Sequence, residues 1–118
     1  MPGDIAMTAQ NATAKKIAAL NDALRKHGTG GRIMMTSGIQ ALGQQAVAEI
    51  LAKIRAFDAF TKDNDPYGER DCALLTVNGN KIMYKIDYYD RDLQYASPDP
   101  SDATKTCRVM TILLCDEY

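Results

Sequence analysis

The densest run of chemistry-bearing side chains is Asp63-Asn64-Asp65-Pro66-Tyr67-Gly68-Glu69-Arg70-Asp71. Oxygen donors crowded into one loop are what hard cations such as calcium prefer. Asp63, Asp65 and Gly68 even fall on the first, third and sixth positions of an EF-hand loop. Tyr67 then occupies the fifth position and Leu74 the twelfth, where a bidentate Glu is required, so that motif is excluded. Two readings of the loop remain. One is a looser cation site, with Asp63, Asp65, Glu69 and Asp71 serving a metal-assisted hydrolase or nuclease. The other is a polar turn held by Asx hydrogen bonds.

Lys85, Asp87 and Asp90 lie on or beside one strand, and Arg108 on the last strand is a candidate neighbour. Desolvated, such a cluster does acid–base work. On a wet sheet face it is cross-strand ion pairing. His27 is the only histidine, placed at a helix end before glycines, where a cation is favoured by the helix dipole. Ser37 and Ser97 have no partnered base, and Cys72 and Cys107 act as nucleophiles only if exposed beside a positive group. Gly28-Thr29-Gly30-Gly31-Arg32 precedes a strand and lacks the Gly-Lys-Ser/Thr ending of a phosphate loop, so it reads as a helix stop. Lys15, Lys16, Arg25, Lys26 and Arg32 are too few, with no interleaved aromatic residue, for direct nucleic-acid binding to be expected.

These residues need elements to position them. Ile17, Leu20 and Leu24 recur at helical spacing within a helix expected over 12–27. A short strand follows over 32–36, broken by Ser37-Gly38. Val47, Ile50, Leu51, Ile54 and Phe57 line one face of a second helix over 44–57, and Phe60 extends the stripe if that helix runs on. After the polar loop come strands at 72–77 and 81–89 joined by Asn78-Gly79, a tight-hairpin signal. The second alternates, with Ile82, Tyr84, Ile86 and Tyr88 on one face. A second polar loop precedes a last strand over 106–115 that is apolar on both faces, as a central strand is. The fold expected is α+β: two helices on one face of a mainly antiparallel sheet of three to four strands. It forms a single domain over 11–118, preceded by a flexible arm at 1–10.

A chain of 118 residues, 46% hydrophobic and 25% charged, is in the globular range and buries an ordinary core. No apolar run approaches a membrane span, and the first residues lack a basic flank and apolar core, so no secretory signal is read. The three cysteines, Cys72, Cys107 and Cys115, are odd in number and without a CxxC pair, which points to reduced, buried thiols in a cytoplasmic protein. Charge is uneven: residues 1–57 carry seven basic and three acidic side chains, residues 58–118 seven and twelve. Two electrostatically different surfaces suit a homodimer or two partners.

Several segments carry a resemblance: Gly30-Gly31-Arg32 with the run 36–42, FDAFTKDNDPYGERD at 57–71, KIDYYD at 85–90, SPDP at 97–100 and RVMTILLCDEY at 108–118. Together they resemble an uncharacterised family of small bacterial proteins grouped as a domain of unknown function. The resemblance implies histidines in relatives where this chain has Tyr67 and Arg70, and Phe where it has Cys72. It also implies cargo of plasmids, phages and integrated elements, and accessory roles such as blocking host defence. It assigns no catalytic residues.

The expectation is therefore a non-enzymatic protein-binding module, without cofactor or metal, acting as a mobile-element accessory factor. An anti-CRISPR or antirestriction inhibitor is the specific form. Asp63, Asp65, Tyr67, Glu69, Asp71, Asp87, Tyr89 and Asp90 would form an acidic, tyrosine-bearing surface for a basic, nucleic-acid-handling protein.

Overall fold

A computed structural model describes residues 2–118, with side chains from Asn11 onward. The elements run α1 (Pro2–His27), β1 (Gly31–Met35), α2 (Ser37–Gln40), α3 (Gln44–Ala56), β2 (Cys72–Val77), β3 (Asn80–Tyr89) and β4 (Cys107–Leu114). Single 3-10 turns at Ala103–Lys105 and Cys115–Glu117 flank β4. The arm expected at 1–10 falls on residues whose side chains lie outside this description.

The four strands form one sheet in the order β1-β4-β3-β2. The Asn78-Gly79 hairpin forms as its sequence demands, with φ of 50° and 82° at the two turn residues. β3 is antiparallel to both β2 and β4, and β4 lies between β1 and β3, a central place that suits its two apolar faces. β1 corrects the mainly antiparallel expectation: it pairs parallel to β4, with Ile33 opposite Met110. Two helices and a hairpin separate β1 from β4 in the chain, which is ample for the crossover a parallel pair needs.

Alternation puts Ile82, Tyr84 and Ile86 of β3 and Met110 and Ile112 of β4 on the helix side. There they join Leu24 of α1, Ile39 of α2 and Ile50 and Ile54 of α3 in one core. Each fully buried aliphatic side chain stabilises the fold by about 1.5–3 kcal/mol. All three helices contribute buried residues to this cluster, on one side of the sheet.

Local chemistry explains the departures from the sequence reading. Ser37-Gly38 starts α2 instead of only ending β1, because the Thr36 hydroxyl accepts from Ile39 N and caps the turn. α3 stops at Ala56, where Phe57 turns extended. Phe60 therefore does not extend the stripe; it packs edge-on against Phe57, with ring centroids 4.9 Å apart. Gly31 answers to close approach: a Cβ there would sit 2.6 Å from the Arg108 carbonyl oxygen and 2.8 Å from Leu24 Cδ2. No residue with a side chain fits where α1 crosses the parallel pair.

Candidate functional site

The buried stripe of α1 is not wholly apolar. Asn21 and Arg25 lie four and eight residues after Ile17, on the same face, and both are buried with Leu24. A buried amide and guanidinium must find partners, and they organise the polar side of the molecule.

Arg25 donates through Nη1 to the carbonyls of Ile54 and Phe57, at 2.8 Å each, at the C-terminal end of α3. Its Nη2 meets Asp22 Oδ1 at 2.8 Å. The other Asp22 oxygen takes Arg70 Nη1 at 2.8 Å, so one carboxylate joins α1 to the 61–71 loop. The guanidinium carbons of Arg25 and Arg70 both lie 5.3 Å from the centre of the Phe60 ring, so two cation–π contacts share one ring.

Asn21 serves the second buried arginine. Its Oδ1 accepts from Arg108 Nε at 2.9 Å, and its Nδ2 donates to the Tyr88 hydroxyl at 2.8 Å and to the Glu69 carbonyl at 3.0 Å. The Tyr88 hydroxyl in turn donates to Glu69 Oε1 at 2.7 Å. Arg108 lies 5.3 Å from the Tyr88 ring centre and donates through Nη2 to the Pro100 carbonyl. Asp99 accepts from both the amide and the hydroxyl of Ser101, and the buried Thr106 hydroxyl lies 2.7 Å from Ser97 Oγ. This knot fixes the 97–106 loop and aims Pro100.

Burial is the main reason the Tyr84 and Tyr88 hydroxyls are pushed well above the usual phenol range. Burial likewise pulls Arg108 below the usual guanidinium value, against the pull of Tyr88 and Glu69. The groups are fixed in hydrogen bonds to one another, so the network braces the fold. It also draws on four of the segments singled out in the sequence. Phe60, Glu69 and Arg70 come from the first, Tyr88 from KIDYYD, Pro100 from SPDP and Arg108 from the last strand.

The residues expected to make one acidic surface are divided. Asp63 is exposed and flanks a groove with Leu74, Met83, Cys115 and Tyr118 on the uncovered sheet face. Asp87 is also on that face, bound to Lys85 Nζ at 2.6 Å. Tyr89 follows by alternation, opposite Cys107. Tyr67 and Glu69 instead line a cleft against α1. Asp65 accepts from Arg70 N at 3.0 Å, and Asp90 from Gln94 N at 3.0 Å, both stabilising turns. Asn64 Oδ1 accepts from Thr61 N at 2.7 Å and Asn64 N donates to Thr61 Oγ1 at 3.3 Å, so the start of the loop is closed by a reciprocal side-chain pair, not by an Asx turn. Among the described residues no three metal-ligating side chains converge, so the geometry does not assemble the hydrolase site from Asp63, Asp65, Glu69 and Asp71.

Three other expectations are corrected. Arg108 is not beside Lys85 and Asp87; it lies opposite Tyr88 on the helix side, because an even-numbered β4 residue faces the core. Arg25 is buried and leaves the exposed basic set of Lys15, Lys16, Lys26 and Arg32. The three thiols are free but half-buried.

Asp71 has an unfavourable setting. Burial raises its carboxyl above the usual 3.8, and the charges of Glu69, Asp65 and Asp87 add to the rise. A raised folded-state value means that stability is fully present below the unfolded value and falls as pH climbs through the folded one. Asp71→Asn is therefore expected to raise the unfolding midpoint at pH 7 and to change little at pH 3. Thermal melts across that range check it, and equal effects at both pH values would refute it.

Fold and site together define a two-layer α+β domain whose helix side is locked by buried arginines and whose other side is open. Residues 35–117 match a family described as Protein of unknown function (DUF3768), and the chain belongs to that family. Asn21, Asp22 and Arg25 lie before the matched span. Neither the curated proteins nor the solved structures gave a match. No helix among the described residues is long and apolar enough to cross a membrane.

Proposed function

We propose that the chain is a non-enzymatic protein-binding module that docks through the uncovered face of its sheet. The observation that carries this is the apolar exposure there. Leu74 is 65% exposed, Met34 54% and Tyr118 82%, on the face away from the helices. Leu74 and Tyr118 border one groove with Met83 and Cys115, Met34 lying on the opposite edge strand, and grouped exposed apolar side chains on a small domain mark an interaction site. Asp63 edges the groove there, while Asp87 is paired with Lys85 and the exposed Arg32 and Lys81 share the face, so its charge is mixed. The narrower role, a mobile-element accessory factor that inhibits a nucleic-acid-handling defence protein, is part of the proposal and is supported by the motif resemblance.

The test is affinity capture from a host lysate with three baits: wild type, Leu74→Asp and Lys16→Glu. The wild-type chain is expected to retain one defined partner in a salt-sensitive manner. Leu74→Asp should lose it, and Lys16→Glu, on the helix side, should keep it. Capture that survives Leu74→Asp in a folded variant would exclude this face.

A further inference from the structure

A cleft of about 580 Å³ separates α1 from the 61–71 loop. That volume is within the range of ligand-binding clefts. Ala14, Ile17 and Pro66 give it an apolar lining, Tyr67 an aromatic wall and Glu69 a carboxylate. Tyr67 is 80% exposed and leaves its ring open to a ligand.

Glu69 is the unusual member. It is half-buried, and no ion pair reaches it among the described residues. The nearby arginines are committed elsewhere: Arg70 to Asp22, and Arg108 to Asn21 and Pro100. The Tyr88 hydroxyl holds one Glu69 oxygen at 2.7 Å, and Asn21 in turn holds that hydroxyl. The carboxylate is thus oriented in advance, which lowers the ordering cost of binding. In a half-buried site a charge pair is also less screened than on open surface.

An apolar lining, an aromatic wall and a single oriented anion suit one cation carried on an aliphatic stem. The stem covers Ile17 and Pro66, the cation meets Glu69, and its flank lies against the Tyr67 ring. We infer that this cleft receives a lysine or arginine side chain of a protein partner. One carboxylate matches one cation, whereas a free polyamine needs several anions in a row. Recognition of the cation stands on the cleft itself; its source in a protein rests on the protein-binding reading above.

The test is a titration of amide NMR signals with n-butylguanidinium and, in parallel, its neutral isostere n-butylurea. The guanidinium is expected to move Ala14, Ile17, Tyr67 and Glu69, and the urea to bind about tenfold more weakly, for want of a charge-assisted bond. Glu69→Gln, which still accepts from Tyr88 and so keeps the fold, should lose a similar factor. Tyr67→Ala should weaken binding several-fold. Equal binding of the urea, or a folded Glu69→Gln with unchanged affinity, overturns the site. A Gly-Gly-Arg-Gly-Gly peptide should bind more tightly than spermidine; the reverse order overturns the protein source. The open-face reading fails through Leu74→Asp and this one through Glu69→Gln, so the two failures are distinct.

Discussion

Arg25→Met is expected to destabilise the fold by about 3–5 kcal/mol, as removing one partner from a buried charged network does. The substitution keeps an unbranched stem of similar length, so the loss comes from the head group. Without it the Phe57 carbonyl loses its 2.8 Å donor and the Ile54 carbonyl keeps only the Phe57 amide, at 3.3 Å. Each abandoned acceptor costs about 1–3 kcal/mol. The cation at the C-terminal end of α3 also goes, and with it a favourable dipole interaction. Asp22 keeps Arg70 and is not orphaned. Arg25→Lys should recover less than half of the loss, because a point charge cannot span two carbonyls and a carboxylate at once. Urea unfolding followed by circular dichroism measures both variants. A change below about 1 kcal/mol for Arg25→Met would show that the carbonyls find other donors.

Arg108→Met is expected to cost about 3 kcal/mol by the same reasoning, with a different signature. Here the orphaned acceptors are Asn21 Oδ1 and the Pro100 carbonyl, on two separate elements. Loss of the contact with Tyr88 adds to the effect. The 97–106 loop is joined to β4 through this arginine, so its amides should exchange faster with solvent while those of β3 stay protected. Pairing Arg108→Met with Asn21→Leu removes donor and acceptor together and should recover part of the loss. A coupling of about 1–3 kcal/mol is expected between the two positions. Strict additivity in the double-mutant cycle would mean that Asn21 and Arg108 do not act as a unit. For a domain whose whole stability is about 5–15 kcal/mol, either single substitution removes a large share.

Both arginines show where sequence reasoning stopped. Arg25 reads as part of an exposed basic set, and Arg108 as a neighbour of Lys85 and Asp87. A signal was present: Asn21 and Arg25 share the helical face of Ile17 and Leu24. Charged residues are almost never fully buried unless paired. Asp22 and Pro100 are near in sequence, but the contacts that bury the two arginines against other elements, to Ile54 and Asn21, span 29 and 87 residues. No local pattern reports them. The loop residues divided for a similar reason. Asp63 and Glu69 are near in sequence, but the turn closed by Thr61 and Asn64 and the bonds of Tyr88 and Asn21 to Glu69 send them to different sides of the sheet.

What the sequence determined by itself was the set of elements whose cause is local. Helical spacing made α1 and α3, Asn78-Gly79 made the hairpin, and strict alternation chose the core face of β3. Doubly apolar β4 had to be central. Tertiary structure alone decided that β1 joins β4 in parallel, that one sheet face stays open, and that Glu69 ends in a cleft against α1 with no ion pair among the described residues. Those outcomes depend on which distant groups meet, and the deciding energies are burial and partner satisfaction between segments, which no stretch of chain contains on its own.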